Sequence, residues 1–185
     1  MARTPSTMVE LGTPLPAFSL PDTVTHRTYQ DSQFLGKPLV VAFICNHCPY
    51  VQLIEAELMN IARSYGARGI SFLAISSNDP VQYPQDSPEE MRKHAVEMGY
   101  PFPYLFDATQ EVARAFDAAC TPDFFVYDTL GRLYYRGQLD DARPKSDLPV
   151  TGHDLRHALD ELLRGGPAPV FQRPSIGCNI KWKTA

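Results

Sequence analysis

The residues best suited to chemistry in this chain of 185 are four cysteines: Cys45, Cys48, Cys120 and Cys178. Cys45 and Cys48 flank His47 in the run FICNHCPYV, and Pro49 follows at once. A thiol becomes a nucleophile as its thiolate, so what matters is which of these sulfurs sits where a negative charge is favoured. Proline is over-represented at the first position of a helix, where its missing N–H costs nothing. With Pro49 opening a helix, Cys48 is its N-cap, facing the unpaired amides and the positive end of the helix dipole. That setting lowers a thiol pKa, and a protonated His47 would act in the same direction. Cys48 is therefore the expected nucleophile, with a small residue filling a tight junction as the plainer reading.

Thiol–disulfide exchange passes through a mixed disulfide that a second thiol releases. Three cysteines can supply it. Cys45 is near in sequence, but bridging it to Cys48 requires the junction to bend until the two Cα atoms lie within about 7 Å. Cys178 lies in a tail, RPSIGCNIKW, whose Ile176, Ile180 and Trp182 are too apolar to hang free, and Gly177 permits a turn that presents the thiol. Cys120, just before Thr121-Pro122, is the third. Cys178 and Cys45 are thus the candidate resolving thiols, with an external thiol as the remaining route.

The surrounding pattern supplies the elements that must hold these groups. Pro38 is followed by seven apolar residues ending at Cys45, a run suited to a strand buried on both faces. Val51, Ile54, Leu58, Ile61, Ala62 and Tyr65 then recur at helical spacing until Gly66 and Gly69. Gly69 to Ser77 is a second buried strand, completing a βαβ unit. Ser87-Pro88-Glu89-Glu90 reads as a capping box opening a helix to about Met98. Tyr104 to Phe106 is a short strand and Thr109 to Phe116 a short helix. Asp123 to Asp128 and Gly131 to Leu139 form a hairpin. A last helix is expected after Thr151 as its cap, stopping at Gly165-Gly166. The first 37 residues suggest an N-terminal hairpin. The order predicts an α/β sandwich with a mixed central sheet, a single domain over 10–166 and a tail over 167–185 packed on it.

Composition narrows the classes. The net charge is −4 with 21% charged residues, which argues against a nucleic-acid partner. No apolar run nears the ~20 residues that span a bilayer, so no membrane association is expected. The Pro-rich start carries no continuous hydrophobic segment, and a cytoplasmic setting is expected. Four cysteines are too few for a disulfide scaffold at this length. No nucleotide or phosphate motif is present, and no cofactor is expected. His26, His94, His153 and His157 are expected at the solvated surface, and the Asp140-Asp141 pair is expected to solvate a loop rather than line the site.

The motifs ICNHCPYV, SNDPVQYPQDSPEEM, GYPFPYLFD, CTPDFFVYD, RGQLDD and RPSIGCNIKW together resemble the peroxiredoxin-like redoxins of the thioredoxin-like superfamily. These are grouped with the alkyl hydroperoxide reductase/thiol-specific antioxidant proteins. The resemblance covers about residues 10 to 185 and implies a thioredoxin-like three-layer sandwich with an N-terminal β-hairpin extension and a docked C-terminal tail. It implies that Pro122 is a cis-proline beside the site, which puts Cys120 on the rim as a neighbour, that Thr121 offers backbone to an extended substrate, and that His47 and Tyr50 border the substrate. It also implies a redox partner, either a disulfide-containing or oxidised-thiol protein or a small molecule, and an external thiol reductant. Register departs from the family in one respect. The thioredoxin nucleophile, counted from Phe43, falls on Cys48, but the second cysteine of that motif falls on Val51. The peroxidatic cysteine of peroxiredoxins also falls on Val51, with Cys48 at the threonine position and Ile44 at the proline position. The activity implied is thiol–disulfide exchange through Cys48. An atypical, antioxidant thiol peroxidase using Cys48 and a non-catalytic peptide-binding module are the alternatives. A zinc site built on Cys45, His47 and Cys48, with Cys120 or Cys178, lacks a second close-spaced ligand pair.

Overall fold

A computed structural model describes residues 3–184. The strand expected before Cys45 is β4 (Leu39–Phe43), fully buried. It pairs in parallel with β5 (Ser71–Ser76) on one side and antiparallel with β8 (Asp123–Tyr127) on the other. With β6 (Tyr104–Phe106) and β9 (Leu133–Gly137) they form a five-stranded mixed sheet of order β6-β5-β4-β8-β9. Successive side chains of β4 point to opposite faces, which divides the core in two. Val40 and Ala42 pack with α1 (Pro49–Gly66), Met91 and Ala95 of α2 (Pro88–Met98), and Leu155, Ala158 and Leu159 of α4 (His153–Leu163). Leu39, Val41 and Phe43 pack with Val112, Ala113 and Phe116, around α3 (Glu111–Ala115), and with Phe18 and Leu20. Phe18 and Leu20 belong to the N-terminal extension, where β2 (Ser19–Pro21) and β3 (Thr28–Gln30) make the expected hairpin. The result is the three-layer thioredoxin-like sandwich.

Both ends of the chain meet at one small sheet. β10 (Ile176–Asn179) lies between β1 (Arg3–Pro5) and β7 (Cys120–Thr121), antiparallel to each. The tail is therefore not merely docked but paired on both edges, and β1 comes from residues before 10, where the domain was expected to begin.

Three local expectations are corrected. Thr151 does not cap α4; the N-cap is Gly152 at φ 65°, and the Thr151 and Gly152 amides donate to Asp140 Oδ2 at 2.7 Å each. Asp140, expected to solvate a loop, is buried and organises the turn into α4. His94, expected at the solvated surface, is half-buried against Glu55 at 2.5 Å, because Glu55 of α1 is itself buried and requires donors. No helix among the described residues is long and apolar enough to cross a membrane.

Candidate active site

Cys48 is the N-cap of α1, extended at φ −79° and ψ 120°, with Pro49 as the first helical residue. Its carbonyl accepts from the amides of Val51 and Gln52, both at 3.0 Å, so the helix starts where the sequence predicts. The preceding turn is held by a residue that sequence reasoning missed. Asp86, fully buried, accepts from the Asn46 amide at 2.9 Å, the His47 amide at 3.3 Å, Asn78 Nδ2 at 2.8 Å and His47 Nδ1 at 2.5 Å. The His47 ring stacks on Tyr83, 5.3 Å between centroids. One carboxylate thus bends the chain between Cys45 and Cys48.

Cys178 is brought to Cys48 across 130 residues, with the two Sγ atoms 2.8 Å apart. The thiols are free, and the separation exceeds the ~2.05 Å of a disulfide. Cys48 Sγ also lies 3.1 Å from the Thr121 carbonyl oxygen, to which it donates when protonated. Cys45 Sγ contacts Thr121 Oγ1 at 3.4 Å. The Thr121–Pro122 peptide bond is cis. Cys120 donates to the Pro122 carbonyl at 3.5 Å, and burial pushes its thiol well up.

The neighbours divide the protons unequally. The Cys48 thiol is lowered to about 5, chiefly by the Cys45 thiol beside it. Burial opposes this, while Cys178, Thr121 and the Val51 amide assist. Of the causes that lower it, the Val51 amide at the helix start contributes least, and Cys48 makes no side-chain cap hydrogen bond. His47 is committed to Asp86. Cys45 is driven far up by the same interaction with Cys48, and Cys178 is pushed up to about 12 by burial and then by Cys48. The arrangement favours the thiolate at Cys48 and the thiol at its neighbours.

Access is narrow. Cys48 is 0% exposed and Cys178 2%. On the Pro122 side, Tyr50, Ile54, Pro122 and Ile176 line a cleft of about 20 Å³, room for roughly one water. Thr121, expected to offer its backbone to a substrate, is paired to Cys178 of this chain instead. The larger cavities lie elsewhere, such as the 390 Å³ hollow bordered by His26, Arg92 and Phe106. Of the residues expected at the site, Cys45, Cys48, Thr121, Pro122 and Cys178 converge, with Tyr50 at the cleft and His47 turned to Asp86.

Cys45, His47 and Asp86 offer donor atoms within 4.8 Å of one another. They do not fit a metal: the Asp86 carboxylate already accepts four hydrogen bonds that fold the loop. A second buried charge pair also went unread. Arg136 of β9 meets Asp123 of β8 at 3.2 Å, and both bond Ser6 Oγ at 2.9 Å, which fastens the segment after β1 beside Pro122. Opposite charges inside two otherwise apolar strand runs, DFFVY and LYYRG, were the available signal.

The model of the AhpC/TSA family matches residues 11–136. An uncharacterised conserved protein from Geobacillus kaustophilus is 51% identical, covers 100% of this chain and 98% of its own, and superposes with a TM-score of 0.98. A hypothetical protein from Sinorhizobium meliloti 1021 is 46% identical over 98% of this chain and 100% of its own, with a TM-score of 0.95. A thiol:disulfide interchange protein of the thioredoxin family from Chlorobium tepidum TLS, 20% identical, covers 84% of this chain and 99% of its own with a TM-score of 0.64, a likeness of fold. Among curated proteins no match is found. With two thirds of its length matched and the thioredoxin-like sandwich in place, the chain belongs to the AhpC/TSA family of thioredoxin-fold redox proteins.

Proposed function

We propose that the protein is a thiol–disulfide oxidoreductase in which Cys48 attacks and Cys178 resolves. The observation that carries this reading is the 2.8 Å contact between the two sulfurs, one favoured as thiolate and the other held as thiol. The Cys48 thiolate attacks one sulfur of an oxidised substrate, and the departing sulfur leaves as a thiolate that takes up a proton. Cys178 then gives up its proton and attacks Cys48 Sγ, releasing the second substrate thiol. The substrate is reduced by two electrons, and the protein is left with a Cys48–Cys178 disulfide that an external thiol reductant of a reducing, cytoplasmic setting reopens. Cys45 acts by stabilising the thiolate, a different role from the resolving one also considered for it.

Complete burial of Cys48 favours a second reading, in which the oxidant is a small hydroperoxide. The thiolate attacks the terminal oxygen, the remaining oxygen leaves and is protonated, and Cys178 condenses with the sulfenic acid, expelling water. A rate with hydrogen peroxide no greater than that of a free thiol excludes this route.

Mapping of disulfides by mass before and after mild oxidation tests the main reading. Wild type gives one new bridge, Cys48–Cys178; Cys48→Ser gives none; Cys178→Ser accumulates Cys48 as a sulfenate or a mixed disulfide. A Cys48 that alkylates with an ordinary thiol midpoint and never forms a bridge overturns it.

A further inference from the structure

The backbone edge next to Cys48 is already in use. Thr121 of β7 faces Cys178 of β10, and Cys120 faces Asn179. The approach is so close that a Cβ on residue 177 would lie 1.9 Å from the Thr121 carbonyl oxygen, 2.6 Å from its carbon and 3.1 Å from Pro122 Cδ. These are backbone and ring atoms that no rotamer change removes, so Gly177 alone lets this strand sit here. A strand so seated carries its next residue, Cys178, to 2.8 Å from the nucleophile and leaves Cys48 no exposed surface.

We propose that β10 is a displaceable mask over Cys48, standing where a partner's extended strand would add, and that a partner disulfide reaches Cys48 by taking its place with glycine immediately before the attacked cysteine. The proposal rests on Cys48 being the nucleophile. A vacated β7 edge would present unpaired backbone groups beside a thiolate, the setting in which an extended peptide adds as a strand. The tail is held by its strand pairing on both edges and by further hydrogen bonds. The Ser6 amide donates to the Ser175 carbonyl, Gln110 bonds the Lys181 carbonyl and the Lys183 amide, and Arg114 lies over the Trp182 ring at 4.4 Å. Ile180 and Cys178 are buried in the two cores, and Trp182 packs against the one that holds Ile180.

In the exchanged state the Cys48 thiolate forms a bond to the partner's cysteine sulfur, and that sulfur's bond to its former mate breaks, the mate leaving as a thiolate that is protonated by water. The partner strand then peels back while still tethered, β10 returns, and Cys178 loses its proton and attacks Cys48 Sγ. The partner's cysteine leaves as a thiol, and the protein holds the disulfide.

Reduced protein treated with iodoacetamide and, separately, with a bulky polyethylene-glycol maleimide tests the mask, Cys48 labelling being read by mass. Departure of β10 is a common first step, so labelling is slowed relative to free cysteine by the same factor for both reagents. Trp182→Ala, remote from the cysteines, relieves both by a shared factor of about ten, the equivalent of ~1.4 kcal/mol of tail docking. Peptides Ile-Gly-Cys-Asn and Ile-Val-Cys-Asn, each as a mixed disulfide with 2-nitro-5-thiobenzoate, test the replacement strand. The glycine peptide releases the coloured thiolate about ten-fold faster or more, a difference of ~1.4 kcal/mol. Small-reagent labelling near the free-thiol rate while the bulky reagent is blocked overturns the proposal, as do unchanged rates in Trp182→Ala or equal peptide rates. Failure to form a Cys48–Cys178 bridge on oxidation would instead overturn the function reading and leave the labelling result standing.

Discussion

At the scale of single residues, the site is a problem of where one negative charge is cheapest. Burial alone raises a thiol pKa, as at Cys120. Cys48 escapes because the thiol three positions earlier, Cys45, is the leading cause that lowers it. Cys45→Ala therefore raises the Cys48 midpoint from about 5 toward the ordinary thiol range while leaving Cys178 in place. Alkylation by iodoacetamide across pH, scored by mass at Cys48, shows the wild-type midpoint near 5 and a higher one in the variant. An unchanged midpoint would remove Cys45 from the role assigned to it. The nucleophile was legible in the sequence because Pro49 and the helical spacing behind it are local signals. The cause of its acidity was not, since the influence of Cys45 on Cys48 depends on a turn that Asp86, from a loop about forty residues on, holds in place.

Elements are held in place here by buried polar residues as much as by apolar faces. Asp86 ties the β4–α1 turn to the loop before α2, and its removal leaves the Asn46 and His47 amides and Asn78 Nδ2 without their acceptor. Unsatisfied buried donors cost about 1–3 kcal/mol each, partly recovered by water. Asp86→Ala is expected to lower stability by roughly 3 kcal/mol in urea unfolding and to slow Cys178–Cys48 bridge formation, whereas a surface loop aspartate would lose less than ~0.5 kcal/mol. The elements themselves were largely readable. β4, α1, β5 and α2 announce themselves through continuous apolar runs, helical periodicity, Pro49 and the Ser87 cap, whose Oγ accepts from the Glu90 amide at 3.4 Å. What could not be read was any element defined by a distant partner. Arg3–Pro5 and Ile176–Asn179 are too short to show a period of two, and they are strands only because each finds the other. For the same reason the Asp140-Asp141 pair reads from sequence as solvated, although Asp140 takes the two amides that start α4.

At the scale of the whole molecule, the acidity of Cys48 makes reduced-state stability depend on pH. Its folded pKa lies below the ordinary value of 9.0, so the contribution is fully present above about 9, falls as pH drops toward 5, and is gone below it. Cys178 acts with the opposite sign, stabilising below about 9 and losing that contribution as pH rises toward 12. The difference in unfolding free energy between wild type and Cys48→Ser, both reduced, therefore shifts in favour of wild type as pH rises from 5 to 9. Its slope is at most about 1.4 kcal/mol per pH unit. A flat difference over that range would mean that the thiol titrates normally in the fold.

Cys48 and Cys178 stand 130 residues apart, so the strand that covers the nucleophile is made well after it. During synthesis the α1 junction and its thiol emerge long before Gly177 and Cys178, so the nascent chain carries an unshielded sulfur while the residues between them are made. The burial of Cys48 in the folded protein is absent when this cysteine first meets solvent.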